Sequence, residues 1–316
     1  MNIKRSDFKA FLAVIFLTVS GVGLEGCDFA PASIEDGEPV VETYLVADEP
    51  LPRIRLTRTV EITSGYSASA LAIRDASVEV RLAGLDGSAD VFFSYVHSPS
   101  EPGIYEPEST DLILPGRTYH LSATVESTGE EITASTTVPT RFEISRVSSH
   151  TVVYQSETPY TLDITDSFYP GRRAIYVQSI LALEPDTCEL TPLYLYDLYD
   201  LYEDDDFDCT QLSPYMLDQI LLNASPPLNE QSYEVNPDGT IAVPLPWFAV
   251  AFYGDALVGT AAIDDALYDF MRYQSVQTNG GTLSPGEIPN VLDHINGGRG
   301  IFSSMARVES VMTVVR

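Results

Sequence analysis

In ASVEVRLAGLDGSADVFFSY, residues 76–95, Val78, Val80 and Leu82 alternate with Glu79 and Arg81. Asp86-Gly87 breaks the run, and Val91, Phe93 and Tyr95 resume it. Alternation with period two places apolar side chains on one face of an extended chain, and Asp-Gly supplies the positive φ that a tight return needs. The stretch therefore predicts a β-hairpin with one buried face. The same pattern extends both ways. Upstream, Val41, Thr43 and Leu45 alternate with Glu42 and Tyr44, and Ile54, Leu56 and Val60 with Arg55, Thr57 and Thr59. Downstream, Tyr119, Leu121, Ala123 and Val125 follow a Pro115-Gly116 turn, and Ile132, Ala134, Thr136 and Val138 follow Thr128-Gly129. About seven short strands in roughly 100 residues, with turns between them, predict an Ig-like or transthyretin-like β-sandwich over residues 39–139.

Residues 140–316 read as a second β-rich domain. Strands are expected at 161–168, at 174–183 with Ile175, Val177, Ser179 and Leu181 on one face, at 240–243, at 247–253 and at 308–315. Two short helices join them. Ser213-Pro214 is an N-cap followed by a first-turn proline, opening a helix to about Leu222, and Asp264 caps another whose Leu267, Phe270 and Met271 face the core. No internal repeat is evident.

Ahead of the strands, Lys4, Arg5 and Lys9 precede an apolar run at residues 11–19, FLAVIFLTV, too short to span a bilayer. Leu24-Glu25-Gly26-Cys27 resembles the lipobox of bacterial lipoproteins, which implies a signal peptide over 1–26, lipid on Cys27 and a polar tether over 27–38. An ordinary signal peptide with an incidental cysteine, or a buried helix, is the other reading. One acyl chain binds a membrane only marginally, at about 0.8 kcal/mol per buried CH₂. The several chains of a lipoprotein make the membrane a stable partner.

Composition narrows the partners. The chain has 316 residues, is 44% hydrophobic and carries a net charge of −29. Without residues 1–26 it loses three cations and two anions, giving −30, and both lysines go, leaving 14 arginines. Nucleic acid and anionic lipid are poor partners for such a body, because both are bound by clustered Lys and Arg. Acidity with Arg in place of Lys looks like the proteins of salt-loving bacteria; codon bias in an acidic exported protein explains it equally well.

Two cysteines remain after Cys27. In an oxidising compartment Cys188 and Cys209 are expected to form a disulfide closing a loop of about 22 residues, worth roughly 3 kcal/mol, with two free buried thiols as the alternative. They bracket LTPLYLYDLYDLYEDDDFD at 190–208, an acidic, tyrosine-rich insertion. Tyr194, Tyr196, Tyr199 and Tyr202 form a candidate binding loop, able to stack on a sugar ring or a protein partner. The packing alternative puts Tyr194 and Tyr196 on one face of a β-extension. Asp204, Asp206 and Asp208 offer oxygen ligands of the kind Ca²⁺ takes, without the spacing of an EF-hand, so a solvated loop is the simpler reading.

Val40-Val41-Glu42, Arg55-Leu56-Thr57-Arg58, Ala76-Ser77-Val78-Glu79-Val80, Gly103-Ile104-Tyr105 and Pro115-Gly116-Arg117-Thr118-Tyr119 occur in an order that resembles domain-of-unknown-function family 4249, lipoproteins of Bacteroidota and related bacteria. The run 265–270, Pro289-Asn290-Val291 and the run 296–302 continue it. The middle pieces also look like the carboxypeptidase-regulatory type of β-sandwich. The resemblance implies location and fold, and association with TonB-dependent outer-membrane transporters, but no reaction and no catalytic residues.

Motifs for chemistry are lacking. The chain has no G-x-S-x-G elbow, no H-E-x-x-H and no Walker loop, and Gly297-Gly298-Arg299-Gly300 reads as a turn into the last strand. His97, His120, His150 and His294 are scattered, and no cofactor is called for. Glycoside hydrolysis needs only two carboxylates, and with 44 acids after residue 26 no pair stands out. The expected function is non-enzymatic: a lipid-anchored envelope protein, at the periplasmic or surface face of the outer membrane, accessory to a TonB-dependent transporter in ligand capture or assembly. A structural or adhesive envelope protein is the alternative, and a carboxylate-based hydrolase the third reading.

Overall fold

Seven strands realise the alternation of the first half: β1 (Pro39–Val46), β2 (Ile54–Arg58), β3 (Ala76–Leu82), β4 (Val91–His97), β5 (Ile104–Pro107), β6 (Thr118–Val125) and β7 (Glu131–Thr137). The computed structural model describes residues 37–60, 67–186, 188–196, 212–279 and 294–316. The hairpin forms as expected, Leu82 opposite Val91 and Val78 opposite Tyr95, around Asp86 and Gly87, both with positive φ. Val41, Leu45 and Leu56 face Val78, Val80, Leu121 and Ile132 in one core. Two of the motif pieces have structural jobs. Tyr105 is fully buried, and its hydroxyl donates to Ile73 O at 3.1 Å while accepting from Ala76 N at 2.9 Å. Tyr119 accepts from Leu114 N at 2.8 Å, pinning the Pro115-Gly116 turn.

The second half adds β8 (Ile144–Val147), β9 (Thr151–Val153), β10 (Tyr160–Ile164), β11 (Ile175–Ala182), α1 (Pro214–Leu221), β12 (Leu222–Ala224), β13 (Leu228–Asn229), β14 (Glu234–Val235), β15 (Ile241–Leu245), β16 (Gly254–Ile263), α2 (Asp265–Asn279), β17 (Ile295–Asn296) and β18 (Arg299–Val315). A sheet β14-β15-β10-β8 packs over the sheet that contains β11, β16 and β18, and Tyr160, Leu162, Tyr176, Val243, Val258 and Met312 fill the space between. The fold is thus mainly β.

β18 binds the halves together. Its first part pairs in parallel with β1, from Val40 opposite Arg299 to Val46 opposite Met305. Its second part pairs antiparallel with β16, from Met305 opposite Ile263 to Val314 opposite Gly254. Ile295 and Phe302 lie in the first core, so the sandwich expected over 39–139 is completed by residues from the far end of the chain. Gly37–Arg316 is one compact unit with both cores inside it. The glycine cluster is the turn that starts this strand. Gly297 and Gly300 have φ of 74° and 110°, and a Cβ on Gly300 would collide with the backbone carbonyl of Val41, so the close approach of β18 to β1 requires glycine there.

Both helix starts are as expected. Ser213 Oγ accepts from Met216 N at 3.2 Å, and Asp264 Oδ1 accepts from Leu267 N at 2.8 Å. Leu267, Phe270 and Met271 pack with Ile175, Val177 and Ile263 on the reverse face of the second half's main sheet. Two expectations change. Residues 247–253 are not a strand: Pro246 ends β15, and Trp247–Ala249 form a 3₁₀ turn closed by Val250 N on Trp247 O at 3.1 Å. Residues 192–196 are helical, with Leu195 N on Thr191 O at 3.0 Å. Thr191-Pro192 is the same start signal as Ser213-Pro214. A helix turns residues two apart to different sides, so Tyr194 is half-buried and Tyr196 exposed, and no shared β face exists. The disulfide-stapled form of the insertion is not supported: Cys209 and residues 197–211 lie outside the described residues. Among the described residues no helix is long and apolar enough to cross a membrane.

Candidate functional site

A cleft of about 570 Å³ opens in the second half, where β11 and its neighbours β12 and β13 meet β15 of the facing sheet. Tyr194 lines it, brought there by the helical turn at 192–196. Its hydroxyl accepts from Asn223 Nδ2 at 2.8 Å, and the same amide donates to Ala249 O at 2.9 Å. Helix 192–196, strand β12 and the 3₁₀ turn are thereby tied by one side chain. Prolines make the rim rigid: Pro159, Pro226, Pro244 and Pro246 all line the cleft. Phe248, held out by the 3₁₀ turn, is 55% exposed beside it.

The floor contains a polar group that no motif singles out. The row of β11 that the alternation picks out, with Ile175 and Val177, is covered by α2, and the opposite row is Tyr176, Gln178 and Ile180. Gln178 thus occupies a core position between two sheets at 7% exposure. Its backbone exchanges bonds with Ser225, N to Oγ at 3.0 Å and Ser225 N to O at 2.8 Å. Its Nε2 reaches Tyr233 Oη only at 3.4 Å. Burial pushes the Tyr233 phenol up to about 12, so that hydroxyl is neutral. Strand alternation could have flagged Gln178 only if both faces of β11 were known to be buried, and that follows from α2 docking far along the chain.

A shallower groove of about 360 Å³ crosses the outer face of β3, β4, β6 and β7. It gathers His120 and His294, read as scattered, with Glu79, Arg81 and the exposed Phe92. Arg81 is held by Asp90 at 2.5 Å and His294 by Asp269 at 2.9 Å. Burial and the neighbouring Arg81 cation push the His120 imidazole down, toward its neutral form. Among the described residues no group of three or more His, Cys, Asp or Glu is arranged to hold a metal.

Of the other residues singled out in sequence, Cys188 is exposed, with its backbone N–H on Asp186 Oδ1 at 2.9 Å. Cys27, Cys209, Tyr199, Tyr202, Asp204, Asp206 and Asp208 lie outside the described residues.

Residues 29–310 match the family model described as domain of unknown function (DUF4249). No curated protein matches the chain. Solved structures with some similarity include Escherichia coli alpha-2-macroglobulin activated by porcine elastase, at 8% identity and a TM-score of 0.20, and the FN1–FN3 domains of chicken CNTN1, at 9% and 0.23. Each similarity covers 88% of this chain, which spans 23% of the first structure's length and 66% of the second's. Likeness at that level bears on neither site nor activity.

Proposed function

Because the chain belongs to the DUF4249 family, which is defined without an activity, we propose that it is a non-enzymatic, lipid-anchored envelope protein that captures a ligand at a TonB-dependent outer-membrane transporter. The observation that carries the capture reading is the cleft beside Tyr194: a rigid, mostly apolar recess of about 570 Å³, the size and lining of an ordinary binding pocket. Anchoring rests on the lipobox resemblance at Leu24-Glu25-Gly26-Cys27, and outer-membrane placement on the family resemblance. A Cys188–Cys209 disulfide belongs to the same proposal. It rests on the two cysteines that remain after Cys27 in an exported chain, and it would preorganise the segment that delivers Tyr194, lowering the ordering cost of binding.

The test uses the lipidated chain in its native membrane. Affinity capture from detergent-solubilised outer membrane is expected to bring a TonB-dependent transporter, and Tyr194→Ala with Phe248→Ala to reduce its recovery while metabolic labelling with a palmitate analogue persists. Cys27→Ser should abolish that labelling. A preparation without transporter would sink the accessory role; label surviving in Cys27→Ser would sink the anchor.

A further inference from the structure

The cleft differs in electrical character from the protein that contains it. The chain carries −29, yet among the described residues no Asp, Glu, Arg, Lys or His lines the recess. What polarity it has is neutral. Asn223 lies opposite Ile180 in the β11–β12 pairing, so its side chain and that of Gln178 share the cleft face of adjacent strands. Both hydrogens of the Asn223 amide are used, on Tyr194 and Ala249, while no hydrogen bond from the described residues reaches Asn223 Oδ1 or Gln178 Oε1. Neither oxygen is among the buried side-chain atoms that lack a partner; both open on the recess, and each becomes costly only when an occupant excludes water without offering a donor. The Gln178 amide is kept at a position where Leu or Ile would pack, on the wall of a cavity.

Charge complementarity decides the occupant. An anion would meet the field of the whole acidic chain and find no cation in the recess; a cation would find no carboxylate to replace its lost hydration. Apolar walls from Ile180, Leu228, Leu245 and Phe248 leave surface burial as the main source of affinity. We propose that the cleft binds a neutral, mainly apolar small molecule that carries a hydrogen-bond donor, and that Gln178 Oε1 and Asn223 Oδ1 accept from it. This rests on the capture reading of the same cleft and adds the chemical class of what is captured. Gln178 is the specificity residue: it selects an apolar molecule with an N–H or O–H over the same molecule without one. That discrimination is expected because leaving a buried acceptor unpaired costs more than the hydrogen bond gains.

Three dyes with one ring system separate the terms: N-phenyl-1-naphthylamine, its N-methyl derivative without the donor, and 8-anilinonaphthalene-1-sulfonate with an added anion. They are titrated by fluorescence into the chain from residue 28 onward, which contains the whole compact unit. The parent amine is expected to bind once per chain, with the N-methyl and the sulfonated dyes about tenfold weaker at low salt. Gln178→Met should erase the difference between amine and N-methylamine, and Phe248→Ser, at an exposed position, should weaken both equally. Unfolding midpoints of the variants show that the fold is kept. Equal binding of the sulfonate, or an amine preference that survives Gln178→Met, would overturn the proposal. Should no dye bind while the transporter is still recovered through Tyr194 and Phe248, the ligand class falls and the capture reading stands. Dye binding as stated without any transporter leaves the ligand class standing and removes the accessory role.

Discussion

Asp264 shows how one side chain can be legible in part. That it caps a helix follows from its position three residues before Leu267, and the bond from Leu267 N at 2.8 Å bears this out. Its burial is invisible in the sequence, because the partners come from other strands. Asp264 Oδ2 lies 2.6 Å from Thr136 Oγ1, which lies 2.6 Å from Ser304 Oγ, which lies 3.0 Å from Thr137 O. Three contacts need three protons and the two hydroxyls supply two. In its neutral form the carboxyl provides the third, donating to Thr136, which donates to Ser304, which donates to the carbonyl; as the anion Asp264 accepts from Thr136 instead, and the contact between Thr136 and Ser304 is left without a proton. Burial pushes the Asp264 pKa up to about 6, against the bonds from Thr136 and the backbone and the nearby His294, which favour the anion. A carboxyl raised in the native state holds its proton more tightly when folded. The resulting stability is present below the unfolded value near 4 and is lost as pH rises through about 6, to the extent of about 3 kcal/mol. Asp264→Asn keeps the cap oxygen and donates permanently to Thr136. We predict that urea midpoints of the two proteins agree at pH 4.5 and that the Asn variant is the more stable at pH 8; the opposite order at pH 8 would show that the carboxylate is the native form.

Among the elements, β1, β3, β6 and β7 could be drawn from the sequence because each has one wet face, so polar and apolar residues alternate. β18 could not. Only residues 308–315 were legible, while the strand begins at Arg299. Residues 301–304, Ile-Phe-Ser-Ser, are buried on both faces, and a strand covered on both sides loses its period. Residues 247–253 failed for the converse reason: apolar and aromatic content imitates a strand where proline sets a turn. The hidden part of β18 yields a test. Phe302 is fully buried in the first core although it lies some 160 residues beyond β7. Phe302→Ala should cost about 3–5 kcal/mol, and hydrogen exchange should accelerate at Val80 and Leu121, which lie in the same core on strands several places away in the sheet. Unchanged exchange there would show that the first core stands without this strand.

At the scale of the molecule, acid greatly exceeds base, and the arginines are spread in pairs over the surface. Arg141 with Asp48, Arg307 with Glu49 and Arg53 with Glu106 each tie separate segments, but exposed pairs contribute little individually. Self-repulsion of the remaining carboxylates dominates. Salt shortens the screening length from about 10 Å at 0.1 M to about 3 Å at 1 M, so we predict that the melting temperature rises by about 3 °C or more over that range. A fall would mean that the ion pairs outweigh the repulsion, and the likeness to proteins of salt-loving bacteria would lose its physical basis.

The parallel seam between β1 and β18 has a mechanical side. If Cys27 carries lipid as proposed, any pull from a bound partner enters the folded body at Pro39, the first residue of β1. Seven register pairs, from Val40–Arg299 to Val46–Met305, run along the line of that pull. Force between the tether and the far end of β18 therefore loads their hydrogen bonds together in shear, rather than opening them one after another like a zip. A lipid tether over residues 27–38 would therefore deliver its load to a strand held along its whole length by a parallel neighbour.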